Sequence, residues 1–266
     1  MNTAWVSLDW HGRALRIEHQ WLNAHLTDAP LLVFLHEGLG SVAMWRDYPQ
    51  KLCDALGVRG LVYSRPGYGQ STPRDANERW TPDFMHRQAH DVLPALLKAL
   101  DVTQAPWLFG HSDGGSIALL FAARYPTAGV IVVAPHIMVE EISVSSIASA
   151  KEAYENTDLR QRLARYHADV DSAFGGWNQI WLAPEFRDWS IEKDMVTITC
   201  PVLAIQGVND EYGTLAQIRD IQRHVPHTQL LELDNCGHSP HRDQPQALTQ
   251  ACVRFFQTQV SPTAQP

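Results

Sequence analysis

The stretch "FGHSDGGS" at 109–116 sets Ser112 among glycines at 110, 114 and 115, which gives a serine the backbone freedom to stand on a sharp turn. A serine hydroxyl is a weak nucleophile at neutral pH, so it acts only when a base and an orienting acid are supplied. Both residue types occur downstream: Asp210 in "AIQGVNDEYG" and His238 in "ELDNCGHSPHRDQP", giving the chain order Ser, Asp, His. The chemistry would be attack of Ser112 on a carbonyl, with His238 moving the proton and Asp210 holding the imidazole in the useful tautomer. The oxyanion so formed needs two aligned backbone N–H donors. One is expected from Asp113, directly after the serine, and the other from Gly38 in "HEGLGS". Taken singly these residues say little, since a loop aspartate is more often a turn former or a cap. The elements around them must decide.

A serine raised in this way needs a buried strand before it and a helix after it. Continuous apolar runs at 31–36, 60–64, 107–112, 129–135, 201–207 and 229–234 read as strands, and "LRIEHQWL" at 15–22 alternates with period two. Helix candidates lie between them at 45–56, 83–100, 115–124, 214–224 and 245–257. Alternation of this kind predicts a parallel sheet covered on both faces, with Ser112, Asp210 and His238 in loops at the carboxyl ends of strands. One segment breaks the rhythm. Residues 137–195 hold no convincing strand; 147–174 reads as two helices, followed by the tryptophan-dense "GGWNQIWLAPEFRDW". The expected division is a core over 1–136, a helical lid over 137–195 and the rest of the core over 196–266.

The bulk properties suit such a chain. With 266 residues, 45% of them hydrophobic, it can bury a large α/β core. A net charge of −8, from 21 Lys and Arg against 29 Asp and Glu, with no basic cluster, argues against nucleic acid or an anionic membrane as partner. No apolar run approaches the ~20 residues that span a bilayer, and the first residues lack a signal-type apolar core, so a cytoplasmic enzyme is expected. Cys53, Cys200, Cys236 and Cys252 are widely spaced and read as reduced thiols.

In this order, "LHEGLGSVAMW", "SRPGYGQS", "GHSDGG", "IQGVNDEYG" and "CGHSPHRDQP" resemble the α/β-hydrolase superfamily, and within it the lidded esterases, lactonases, carbon–carbon hydrolases and proline iminopeptidases. The resemblance covers nearly the whole chain. It implies a mostly parallel eight-stranded sheet flanked by helices, a helical lid inserted after the sixth strand, and catalysis without cofactor or metal. It further implies a Ser112–His238–Asp210 triad, with Arg65 shaping a loop at the cleft edge. Glu37 departs from the family's usual His-Gly pair, and is either an exposed turn residue or a group reaching the cleft. His36, His111, His136, Trp177 and Trp181 are candidate pocket residues, and Arg160, Arg162 and Arg165 are either substrate contacts or a solvated face. The expected reaction is hydrolysis of an ester, lactone or thioester of a small to medium, apolar or aromatic-derived substrate. Two alternatives stay open: hydrolysis of a carbon–carbon bond in a diketone, and a ligand sensor that does not turn over.

Overall fold

The computed structural model describes residues 3–75 and 77–260. Eight strands, β1 (Ala4–Trp10), β2 (Arg13–Leu22), β3 (Leu31–Leu35), β4 (Arg59–Tyr63), β5 (Trp107–His111), β6 (Gly129–Val133), β7 (Val202–Gly207) and β8 (Gln229–Leu233), form one sheet. Their spatial order is β1-β2-β4-β3-β5-β6-β7-β8. β1 and β2 run antiparallel to their neighbours, and every pairing from β4 to β8 is parallel. The continuous apolar runs occupy the centre because a parallel strand is buried on both faces. In β3, Leu31, Val33 and Leu35 join one core cluster while Leu32 and Phe34 join the other, as the period of two dictates.

Helices α1 (Tyr48–Leu56) and α10 (Pro245–Val260) cover one face with Leu52, Leu248 and Phe255. The other face carries α2 (Phe84–Arg87), a π-helical turn at Gln88–Val92, α3 (Leu93–Ala99) and α4 (Asp113–Ala122). Between β6 and β7 the chain leaves the sheet for α5 (Glu141–Asn156), α6 (Leu159–Leu163) and α7 (Val170–Trp181). The sequence reading of two helices over 147–174 is thus corrected to three. "GGWNQIW" is itself helical and ends α7. The two ends of this excursion lie side by side: Ile191 N donates to Ile137 O at 2.8 Å, and Met138 bridges Ser190. Helices α8 (Ala216–His224) and α9 (Pro240–Asp243) complete the chain's order. Among the described residues no helix is long and apolar enough to cross a membrane.

The passage from β5 to α4 sets the spacing of the whole centre. A Cβ on Gly114 would lie 2.1 Å from the Leu35 carbonyl oxygen, an atom fixed in the sheet. Only a bare Cα lets α4 begin this close to the end of β3. Gly114→Ala is expected to destabilise the fold by ~2 kcal/mol or more, because the clash is with backbone rather than with a movable side chain. Urea unfolding checks this; an unchanged midpoint would contradict it.

Candidate active site

Ser112 is the one residue between β5 and α4, with φ 54° and ψ −123°. A non-glycine residue pays ~1–3 kcal/mol for such a conformation, which persists only where surrounding contacts enforce it. Here the Ser112 amide donates to Val133 O at 2.9 Å, and Ser112 O receives the Gly115 amide at 2.8 Å. The side chain is thereby raised off the sheet at the start of a helix. Ser112 is 6% exposed.

Asp210 and His238 leave the ends of β7 and β8 and meet. His238 Nδ1 donates to Asp210 Oδ1 at 2.9 Å and Oδ2 at 3.0 Å. A carboxylate only accepts, so Nδ1 carries the hydrogen, and in the neutral ring Nε2 is the acceptor. Burial pushes the Asp210 carboxyl up, but the hydrogen bond and charge of His238 and the Tyr212 amide outweigh it, and the group ionises below its ordinary range. Tyr212 N donates to Oδ1 at 2.8 Å and Gln206 Nε2 to Oδ2 at 3.1 Å. Glu211 Oε2 accepts the His238 amide at 3.1 Å, so this neighbouring acid holds the histidine loop and leaves the ring to Asp210. No hydrogen bond joins Ser112 Oγ to His238 among the described residues; such contacts often close only on substrate binding.

Among the described residues neither the Gly38 nor the Asp113 amide donates to a protein acceptor. Asp113 opens α4, where backbone N–H groups lack helical partners. Its carboxylate is buried, accepts from Trp181 Nε1 at 3.3 Å and lies 3.9 Å from Arg65 Nη2. Burial raises its pKa, and Arg65 and the Trp181 hydrogen bond only partly oppose this. Arg65 is itself fully buried; its Nη2 donates to Glu37 O at 2.8 Å and its guanidinium sits 4.7 Å above the Tyr68 ring.

The remaining candidates fall into different places. His36 is fully buried under the loop, its Nδ1 donating to Glu37 O and its Nε2 accepting from the Arg65 amide. His111 Nε2 donates to the His238 carbonyl at 2.7 Å, tying the serine turn to the histidine loop. Glu37 turns inward, 3.5 Å from His111 Nδ1 and 3.5 Å from Arg242 Nη2. Burial pushes its carboxyl up, but His111 and Arg242 hold it well below the ordinary range. His136 stands 4.9 Å from the Trp181 ring and 5.7 Å from His238. Trp177 lies against Gly38, and Trp181 packs on Phe186. Arg160 and Arg162 form exposed pairs with Asp171 and Asp158. A groove of about 640 Å³ beside α7, lined by Trp80, Tyr154, Phe174 and Asn178, does not include Ser112 or His238.

Sequence reasoning missed His167. Its Nδ1 accepts from the Gly69 amide and its Nε2 donates to Leu39 O, both at 3.0 Å, pinning the excursion to two loops at the site. Only its distant partners reveal it. Gln206 did leave a signal, as a polar residue in the otherwise apolar run "VLAIQG".

Residues 32–251 match the sequence profile of the Alpha/beta hydrolase family, and the chain belongs to that family. The serine hydrolase BPHL of Mus musculus is 42% identical over 67 residues, a match spanning 25% of this chain but only 22% of that protein. A structure described among carboxylesterases of the ammonia-oxidizing Nitrososphaera gargenis is similar at TM-score 0.75 and 19% identity, covering 95% of this chain and 98% of its own. The enol-lactonase of Burkholderia xenovorans is similar at TM-score 0.71 and 21% identity, covering 91% and 96%. The two structures share the fold.

The buried histidines give the site a pH signature. Burial, with His111 beside one and His238 beside the other, takes His241 and His136 from 6.5 down to about 3. The unfolded chain binds their protons near pH 6.5 and the folded chain only near pH 3, so stability is full above that window and falls as pH drops through it. His241→Phe removes one such proton and should flatten the dependence of unfolding free energy on pH by ~1.4 kcal/mol per pH unit across the window. Urea unfolding at about pH 7, 6 and 5 measures the slope, and an unchanged slope would refute the assignment.

Proposed function

We propose that this hydrolase is a serine hydrolase that cleaves an ester, lactone or thioester of a small to medium, apolar or aromatic-derived substrate. The observation that carries the reading is the Asp210-held His238, Nδ1 protonated at 2.9 Å, at the same carboxyl edge of the sheet as a serine strained to φ 54°. His238 Nε2 takes the Ser112 proton as Oγ attacks the carbonyl carbon. The developing oxyanion is received by the amides of Gly38 and Asp113. His238 then gives its proton to the departing alcohol or thiol, leaving Ser112 acylated. Water, deprotonated by His238, attacks the acyl carbon and releases the acid with restoration of Ser112. Asp210 stabilises the imidazolium at each stage.

The excursion at 137–195 acts as a lid whose Trp177 and Trp181 form an apolar roof, which favours an apolar acyl group. Similarity of fold to a carboxylesterase and an enol-lactonase is consistent with carbonyl chemistry of this kind. Ser112→Ala is expected to lower ester hydrolysis by ~10³-fold or more while leaving the fold intact. A fluorophosphonate should add one adduct to the wild-type chain, found by intact mass, and none to the variant. A folded Ser112→Ala chain with full activity would sink the proposal. A panel of nitrophenyl esters, lactones and vinylogous diketones separates ester from carbon–carbon cleavage.

A further inference from the structure

Helix α7 presents Trp177 and Trp181 four residues apart, on one side of the helix. Each touches one of the two residues assigned to the oxyanion hole. A Cβ on Gly38 would lie 2.2 Å from Trp177 Nε1, so the indole rests directly on that glycine. Trp181 Nε1 donates to Asp113 Oδ1 at 3.3 Å, in a region where both side chains are almost wholly buried.

The contact with Asp113 answers a chemical difficulty. A carboxylate on the first residue of a helix is drawn to the unpaired N–H groups there, by hydrogen bonding and by the helix dipole. Those groups include the amide that must receive the substrate oxygen. A carboxylate turned toward it would occupy the donor and repel the negative charge of the tetrahedral intermediate. Two groups hold it elsewhere: the Trp181 indole N–H and, at 3.9 Å, the Arg65 guanidinium.

We propose that Trp181 is a positioning residue for the oxyanion hole, its N–H holding the Asp113 carboxylate away from the Asp113 and Gly38 amides. The inference rests on the serine-hydrolase reading above. It couples the seating of α7 to catalysis: when α7 is docked, the carboxylate is held aside and the donors are open.

The test measures kcat and KM for 4-nitrophenyl acetate in the full chain, per active site titrated with a fluorophosphonate. Trp181→Phe keeps an aromatic ring against Phe186 and Trp189 and removes the donor. Its kcat should fall ~10-fold or more, short of the ~10²–10³ that outright loss of an oxyanion donor costs, with KM changed less than about twofold. The double variant Trp181→Phe/Asp113→Ala has no carboxylate left to stray. It should exceed Trp181→Phe in kcat by about threefold or more, a suppression that independent structural defects do not produce. A wild-type kcat in Trp181→Phe, or losses that multiply in the double variant, overturns the proposal. Should Trp181→Phe fail to fold, Trp181→His, which keeps a ring N–H, must hold kcat within about threefold of wild type, and a larger loss overturns the proposal equally. Absence of any phosphonate adduct on wild-type Ser112 would remove the serine-hydrolase reading and this one together. Normal labelling with an indifferent Trp181 removes this one alone.

Discussion

A helix that starts one residue after a buried parallel strand must bring two backbones nearly into contact, and everything at this site follows from how that contact is made. Gly114 lies against the Leu35 and His36 carbonyls, with no room for a Cβ. The compression holds Ser112 at positive φ and brings the start of α4 beside the loop after β3. Two amides without a protein acceptor among the described residues, from Asp113 and Gly38, thereby come from neighbouring strand ends of the sheet. The strain at Ser112 is small beside the burial of β3, β5 and β6, which hold it in place.

Around this turn the molecule assembles an unusual number of titratable groups in little solvent. Histidines 36, 111, 136 and 241 are all almost fully buried, and burial keeps His36, His136 and His241 neutral. Charge is confined to groups with a partner: Asp210 faces His238, and Glu37 faces His111 and Arg242. The arrangement binds separate loops to one another by polar contacts that the sheet alone does not supply. His111 joins the serine turn to the histidine loop, and Glu37 reaches from the loop after β3 to both.

Much of the fold was legible because the strands from β3 to β7 are mostly apolar, and buried parallel strands allow little else. β1 was not read as a strand: it lies at the sheet edge, where "AWVSLDW" is mostly exposed or half-buried. The third helix of the excursion was not read from the sequence; α7 continues through Gly175 and Gly176 and is capped by the Asp169 side chain on the Ser172 amide. At the site, the positions of Ser112, Asp210 and His238 at strand ends were readable from local pattern. The tasks of Asp113, Glu37 and His167 were not, since their partners lie 68, 205 and 128 residues away in the chain. The position of Glu37 drew attention only because an acid replaces a glycine beside His36.

Gly38 has a consequence for how such a molecule can change over evolutionary time. In the proposed mechanism the same bare Cα serves two surfaces, one giving the N–H to the substrate and the other receiving the Trp177 indole. Any side chain introduced there must displace a tryptophan from the roof before it alters the donor. Variation in substrate preference is therefore channelled away from this wall of the cleft. The glycine and the indole are inherited as a pair.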